Sequence, residues 1–238
     1  MGRGPSIEGR KSVEDAKRGK LFTKLIREIT VAARMGGGDP AGNHRLRAAM
    51  DKAIDANMPK DTIDRALKRG TGEGAAALEE VRYEGYGHGG VALLVDCMTD
   101  NHTRTVSDVR HALTRGGGHM GSAGSVAFQF HKVGQIFIDI SSNPALEEKI
   151  MDVALEAGAD DIQTHEPYAE VLTSPEKFSA VKKALEAKGM KLAQAEIVMR
   201  PANVVAISGG HAESLKKLIA GLEELDDVQN VYTNADFT

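Results

Sequence analysis

The segment from Asp15 to Gly72 decides the fold of the N-terminal part of the chain, and it reads DAKRGKLFTKLIREITVAARMGGGDPAGNHRLRAAMDKAIDANMPKDTIDRALKRGTG. At 3.6 residues per turn, its first part places basic and apolar side chains on opposite faces of a helix. The basic face carries Lys17, Lys20, Lys24, Arg27 and Arg34, and the apolar face carries Leu21, Phe22, Leu25, Ile26, Ile29, Ala32 and Ala33. The pattern predicts an amphipathic helix that packs through one face and presents positive charge on the other.

A basic helix face has two interpretations, because most such faces are only the solvated side of an amphipathic helix. The distribution of charge along this chain favours a phosphate-binding surface. Residues 1–72 contain 16 Lys and Arg against 9 Asp and Glu, a net charge of +7, whereas the other residues contain 14 against 25, a net charge of −11. Such asymmetry, hidden in a total charge of −4, is typical of a protein whose basic part meets nucleic acid.

The same segment contains two further helical patterns. Helices are predicted over residues 13–35, 43–56 and 59–70. The third begins at Pro59, whose fixed φ suits the first turn of a helix. The composition then changes to Gly, Ala and Thr over residues 72–77, which predicts a linker. The sequence therefore predicts a basic helical domain over residues 1–75.

Beyond this linker the pattern changes to alternating strands and helices. The elements within residues 132–200 follow the order β, α, β, β, α, β, which is that of a ferredoxin-like fold. The flanking elements form two β, α, β halves, with strands predicted at 91–97, 126–130, 204–207 and 228–233 and a further short strand at 81–83. We interpret residues 78–131 and 201–238 as one ferredoxin-like domain with a second one, 132–200, inserted in it. The predicted fold class is thus α+β, with an N-terminal three-helix domain followed by two ferredoxin-like α/β domains, one inserted in the other.

Composition argues against several classes of function. The single cysteine, Cys97, excludes an intrachain disulfide and any metal site built from several cysteines. Trp is absent and aromatic residues make up only 4% of the chain, which disfavours recognition by base stacking. No apolar run approaches the roughly 20 residues that span a bilayer, and the N-terminus lacks the hydrophobic core of a signal peptide. We expect a cytoplasmic protein with no membrane partner.

No motif in the chain indicates catalysis. The glycine clusters at 87–90 and 116–118 match neither a P-loop nor a dinucleotide-binding pattern, so we interpret them as turns. The eight histidines lack the spacing of a zinc hydrolase site. The carboxylate pairs Asp160–Asp161 and Asp226–Asp227 lie at predicted turns between a helix and a strand. We expect a non-enzymatic protein with no cofactor, no metal and no evident small-molecule substrate, and an enzyme with an unrecognised site stays a remote alternative.

Several short motifs are spread over nearly the whole chain. They are DAKRGK (15–20), FTK (22–24), IREI (26–29), GGDP (37–40), RLR (45–47), NMPK (57–60), YEGY (83–86), TDN (99–101), RT (104–105) and DDVQNVY (226–232). Through these motifs the chain resembles the YebC/PmpR family. It departs from the family pattern in lacking a His-Ser-Lys-Trp stretch near its start, in carrying His44 and His88 where Pro is usual, and in carrying Thr103 where Asn is usual.

The resemblance implies a three-domain protein with an N-terminal helical domain and two α/β domains. It also implies one of two functions. Bacterial members are described as DNA-binding transcriptional regulators. The mitochondrial relative is described as a translational activator of cytochrome oxidase, and more recent views of the family lean towards a ribosome-associated translation factor that binds RNA.

We therefore expect a nucleic-acid-binding regulator of gene expression whose partner is DNA or, alternatively, ribosomal RNA and the ribosome. The side chains predicted to contact phosphates are Lys17, Arg18, Lys20, Lys24, Arg27, Arg34, Arg45, Arg47, Lys60, Lys68 and Arg69. Contacts of this type position a protein on a phosphate backbone, whereas the reading of a base sequence needs other contacts.

Overall fold

The computed structural model describes residues 7–72, 78–143, 145–165 and 167–237, and the side chains of residues 7–18 and of His165 lie outside the description. The chain divides into two compact units, an N-terminal unit of residues 1–78 and a C-terminal unit of residues 79–238. Most of the predicted linker, residues 73–77, is outside the described residues.

The N-terminal unit consists of helices in the part that the structure describes. They are α1 (Ile7–Gly36), α2 (His44–Asp55) and α3 (Lys60–Thr71). Helix α1 begins earlier than the predicted residue 13, whereas the starts of α2 and α3 agree with the sequence signals. The side chain of Asn43 caps α2 by accepting a hydrogen bond from the backbone N–H of Leu46 at 3.0 Å, and Pro59 directly precedes α3.

All three helices contribute to one aliphatic core. Its buried members are Leu25, Ile29, Ala32, Ala33, Leu46, Ala49, Ala53, Met58, Ile63 and Ala66. The predicted apolar face of α1 therefore packs against α2 and α3. Leu21 is the exception on that face, because 42% of it is exposed.

Helices α1 and α3 cross in direct backbone contact at Gly70. A Cβ atom at this position would lie 2.3 Å from the carbonyl oxygen of Thr30 and 2.8 Å from the Cβ of Ala33. The Thr30 hydroxyl donates to the carbonyl of Ile26 at 2.8 Å and also lies 3.3 Å from the carbonyl of Ala66. Only glycine allows the last turn of α3 to approach α1 so closely.

The C-terminal unit combines helices with mainly antiparallel sheets, which confirms the α+β class. Its helices are α4 (His102–Arg115), α5 (Leu146–Ala157), α6 (Phe178–Ala187) and α7 (Gly209–Glu223). Its strands are β1 (Glu79–Tyr86), β2 (Ala92–Thr99), β3 (His119–Met120), β4 (Phe130–Asp139), β5 (Asp161–His165), β6 (Tyr168–Thr173), β7 (Leu192–Pro201), β8 (Val205–Ile207), β9 (Val228–Thr233) and β10 (Ala235–Phe237).

One four-stranded sheet has the order β5-β6-β4-β7, and all its pairs are antiparallel. With α5 and α6 in the connections, this is the ferredoxin-like topology. Helix α6 packs directly on the sheet at Gly134, because a Cβ atom there would come within 2.7 Å of the Phe178 ring.

The other four-stranded sheet has the order β3-β1-β2-β9. Here the prediction that residues 204–207 complete the sheet is wrong, because β8 pairs in parallel with β10 instead. The place between β3 and β2 is taken by β1, which forms a regular antiparallel hairpin with β2. The sequence indicated β1 only as a short strand at 81–83. The strand order is still that of a ferredoxin-like sheet, but β1, at the start of the unit, occupies the place predicted for β8.

The predicted strand at residues 126–130 is also wrong in most of its length. Residues Ala127–Gln129 form a 3-10 turn, and Phe128 is 73% exposed. The carboxylate of Glu84 accepts hydrogen bonds from the backbone N–H groups of Gly124, Val126 and Ala127 at 2.6, 2.7 and 2.8 Å. Amides that are bound to a side chain cannot pair in a strand ladder, so this segment forms a loop.

Candidate nucleic-acid interface

The basic side chains predicted to bind phosphates differ in exposure. Those that are exposed are Lys20, Arg34, Lys60, Lys68 and Arg69, and those that are half-buried are Lys24, Arg27, Arg45 and Arg47. Lys17 and Arg18 belong to α1, but their side chains lie outside the description. Among these predicted residues, the exposed ones therefore belong to α1 and α3.

Arg45 forms an ion pair inside the N-terminal unit. Its Nε and Nη2 atoms donate to the two carboxylate oxygens of Glu28 at 2.7 and 3.2 Å. Such a bidentate pair fixes both side chains, and it joins α2 to α1. Because Glu28 compensates its charge, Arg45 attracts a phosphate less strongly than an arginine without an acidic partner.

Two more of the predicted arginines bind backbone carbonyls. Arg47 donates from Nε to Pro40 at 2.8 Å and from Nη2 to Ala41 at 2.7 Å, and so holds the turn between α1 and α2. Arg34 donates from Nη2 to the carbonyl of Leu78. A carbonyl oxygen carries no net charge, so the bonds to Pro40 and Ala41 leave the guanidinium charge of Arg47 uncompensated.

The crossing of α1 and α3 places two helix segments that carry basic residues next to each other. Arg27 and Arg34 lie three residues before and four residues after Thr30, and this spacing places them on the same side of α1 as Thr30. Since Gly70 contacts Thr30, the last turn of α3, which carries the exposed Lys68 and Arg69, packs beside this part of α1.

Arg65 is exposed on α3 one turn before Arg69, and it was not among the side chains predicted to contact phosphates. Its Nε donates to the carbonyl of Asp61 and its Nη2 to the hydroxyl of Thr62, both at 3.2 Å. Its spacing of three and four residues from Lys68 and Arg69 is the signal that could have identified it. Arg65, Lys68 and Arg69 form one contiguous basic surface on the last turns of α3.

Motif residues in the C-terminal unit serve its internal structure. The buried carboxylate of Asp227 accepts from Arg104 Nη2 and from the Thr105 hydroxyl, each at 2.8 Å. Asn101 caps α4 by accepting from the backbone N–H of Arg104 at 3.0 Å. These contacts hold the start of α4 against the turn between α7 and β9. Asp226–Asp227 therefore lies in a turn, as the sequence predicted.

Glu84 performs a similar task in the loop before β4. Burial by itself would raise the pKa of its carboxyl, but the three backbone N–H donors and the nearby charge of Arg82 outweigh burial and lower that pKa below its ordinary value. The carboxylate therefore stays ionised in the folded protein at neutral pH. The loop amides point to the protein's own anion, which occupies the position that a bound phosphate would need.

Among the described residues, no group of three or more His, Cys, Asp or Glu side chains has an arrangement that could hold a metal ion. No described helix is long and apolar enough to cross a membrane.

Comparison with known proteins covers both units. Residues 4–73 match the family described as "TACO1/YebC protein N-terminal domain", and residues 78–235 match "TACO1/YebC second and third domain". A crystal structure of a conserved hypothetical protein from Aquifex aeolicus is similar to this structure with a TM-score of 0.80 at 45% identity, over 94% of this chain and 92% of that one.

Similar sequences carry a shared name. A protein of Xanthomonas oryzae named "Probable transcriptional regulatory protein" is 55% identical, over 99% of this chain and 98% of that protein. A protein of Cupriavidus taiwanensis with the same description is 56% identical, over 97% of this chain and 95% of that protein. With family matches to both units, a full-length structural match and relatives more than half identical, the chain belongs to the TACO1/YebC family.

Proposed function

We propose that this protein is a cytoplasmic, non-enzymatic regulator of gene expression that binds nucleic-acid phosphates through its N-terminal unit. The observation that carries the proposal is the close packing of α1 and α3, two helices that both carry exposed basic residues, in a segment of net charge +7. The names of the relatives, as transcriptional regulatory proteins, support a regulator that acts on DNA.

The alternative is a translation factor that binds structured RNA, and one feature of the sequence favours it. None of α1, α2 and α3 contains Asn or Gln, the side chains that read adenine in the major groove. Helices that offer chiefly Lys and Arg are suited to the shape and phosphates of a folded nucleic acid. Structured RNA is recognised largely in this way.

Binding measurements at several salt concentrations test the proposal. Replacing Lys20, Lys24 and Arg27 together by Gln keeps helix propensity close to that of the wild type. If each side chain neutralises one phosphate, the slope of log K against log salt becomes shallower by about 2 to 3 units, because each contact contributes roughly 0.9 on duplex DNA and 0.7 on single strands. A second variant, Lys68→Gln with Arg69→Gln, should lose about 1.4 to 1.8 units of slope.

A matched control removes three positive charges from the C-terminal unit. Lys177, Lys183 and Lys188 are exposed at or near α6, and their replacement by Gln should leave affinity and slope unchanged. Equal effects in the control and the α1 variant would mean that only total charge matters, and the proposed site would then be wrong. With the same proteins, a transcriptional regulator should prefer a specific duplex DNA over random duplex, whereas a translation factor should prefer ribosomal RNA or whole ribosomes.

A further inference from the structure

Arginines of the C-terminal unit fall into two groups by their partners. Three of the five form ion pairs: Arg82 with Asp96 at 2.6 Å, Arg104 with Asp227 at 2.8 Å, and Arg200 with the buried carboxylate of Glu170. The other two, Arg110 and Arg115, have no carboxylate partner among the described residues. Both are exposed, and both belong to α4.

The two arginines lie on the outer surface of α4 together with further polar side chains. Thr105, Val109 and Leu113 form the buried face of the helix. The exposed residues near its C-terminal end form what we call the α4 patch: Arg110, His111, Thr114 and Arg115. Spacings of three and four residues make them neighbours.

The helix dipole explains only part of the α4 patch. Positive side chains are favoured in the last turn of a helix, where the backbone carbonyls point outward, and this accounts for Arg115. The effect fades within one turn, so it does not account for Arg110. It also does not explain why both arginines lack an acidic partner among the described residues, although residues 73–238 carry a net charge of −11.

The chemistry of the α4 patch fits phosphate groups better than a protein partner. A guanidinium binds two phosphate oxygens at once, and hydroxyl and imidazole groups add further hydrogen bonds. A protein–protein interface is usually centred on buried aromatic or aliphatic anchors. The exposed positions of α4 are all polar, and they are His102, Thr103, Arg104, Ser107, Asp108, Arg110, His111, Thr114 and Arg115.

We propose that the α4 patch is a second phosphate-binding surface, which contacts the backbone of the nucleic acid that the N-terminal unit binds. This inference rests on the proposed function. It assigns a direct role in binding to the C-terminal unit in spite of its acidic composition. Two sites on one chain would bind a long nucleic acid more tightly than either site alone.

The test uses the full chain with Arg110 and Arg115 both replaced by Gln, and a control with Lys183 and Lys188 both replaced by Gln. The probes are a long labelled duplex DNA and a long labelled structured RNA. We expect the slope of log K against log salt to become shallower by about 1.4 to 1.8 units and the affinity at physiological salt to decrease about tenfold or more in the α4 variant. The control should bind like the wild type. A third variant, Arg110→Lys with Arg115→Lys, keeps the charge and should retain most of the slope, which separates phosphate contact from a loss of folding.

Each result decides between named outcomes. If the α4 variant binds like its control while the α1 variant is weakened, the inference is wrong and the proposed function stands. If the wild type binds neither probe, the proposed function is wrong and the inference with it. If the α4 variant loses binding to a polyglutamate peptide but keeps its full affinity for both nucleic acids, the patch binds an acidic protein segment, and the inference is again wrong.

Discussion

Single buried carboxylates hold the loops of the C-terminal unit. Glu84 binds three backbone N–H groups of the loop before β4, and Asp227 binds the side chains of Arg104 and Thr105 at the start of α4. A buried donor that loses its acceptor costs about 1 to 3 kcal/mol, more than a typical hydrogen bond contributes in net terms. These two residues are therefore more sensitive to substitution than most surface charges.

Replacing Glu84 by Gln tests this at the scale of one residue. The amide offers one acceptor oxygen where the carboxylate offers two, and its NH2 group faces backbone donors. We expect the free energy of unfolding at pH 7, measured by urea denaturation, to fall by about 1 to 3 kcal/mol. As a control, Glu148→Gln on the exposed face of α5 should change it by less than about 0.5 kcal/mol.

The same variant has a predictable dependence on pH. Since the pKa of Glu84 is lowered in the folded protein, its stabilising effect is fully present above the pKa of the unfolded chain, about 4.3, and is lost as the pH falls through the lower folded-state value. The difference in stability between wild type and Glu84→Gln should therefore shrink as the pH is lowered below about 4. If the stability difference between wild type and Glu84→Gln stayed constant below about pH 4, the ionised carboxylate of Glu84 would not be the cause of that difference.

At the scale of elements, the crossing of α1 and α3 controls the N-terminal unit. A glycine inside a helix costs about 1 kcal/mol relative to alanine, so Gly70 weakens α3 considered alone. It is tolerated because it lets α3 touch the backbone of α1 at Thr30. The same contact sets how closely the last turn of α3, which carries Lys68 and Arg69, packs on α1.

Gly70→Ala should therefore destabilise the unit in spite of its better helix propensity. The new methyl group would meet a backbone carbonyl at 2.3 Å, and no side-chain rotation can relieve that contact. Overpacking of this kind costs about 1 to 3 kcal/mol. We therefore expect a lower free energy of unfolding, measured by urea denaturation followed by far-UV circular dichroism. Phosphate binding should weaken as well, because the two helices must move apart.

Gly19→Ala in α1 is the matched control. A Cβ atom at Gly19 meets nothing within 4 Å, so only the propensity effect remains. This variant should gain about 0.5 to 1 kcal/mol. If Gly70→Ala and Gly19→Ala were stabilised equally, the close approach of α3 to α1 at Gly70 would not contribute to stability.

At the scale of the whole molecule, the two four-stranded sheets differ in how the chain completes them. The sheet β5-β6-β4-β7 is built from one continuous segment, Phe130 to Pro201. The sheet β3-β1-β2-β9 needs β9 from the end of the chain, because β9 covers the edge of β2. Where the two sheets meet, Phe130 packs in a cluster with Ala92 and Leu94 of β2, against Met199 of β7.

Fragments test the domain boundaries predicted near residues 132 and 200. We expect a fragment of residues 130–201 to be monomeric and to unfold cooperatively, because its sheet and both covering helices are present. A fragment of residues 79–130 leaves the edge of β2 unpaired and should aggregate. Size-exclusion chromatography and thermal unfolding measure both outcomes. A soluble, cooperative 79–130 fragment would contradict the proposed nesting of the domains.

The sequence by itself determined the features that depend on neighbouring residues. Periodicity and caps identified α2 and α3 to within a residue or two and showed the apolar face of α1. The segregation of charge marked the basic unit, and the strand–helix order gave the α+β class. Periodicity and caps depend on residues close together in sequence, and charge is a sum over a segment. These properties can therefore be predicted without knowing which segments pack together.

Only the tertiary structure decided which distant segments meet. It placed β1 beside β2 where the pattern indicated β8, since both segments read as strands and pairing depends on contacts far apart in sequence. It bound the loop before β4 to Glu84, forty or more positions away. It paired Arg45 with Glu28, and it brought Lys68 and Arg69 beside α1 through a glycine whose close contact no periodicity reveals. All four have the same physical reason. The charge and shape of a side chain follow from its residue type, but its contact partner depends on how distant segments of the chain pack together.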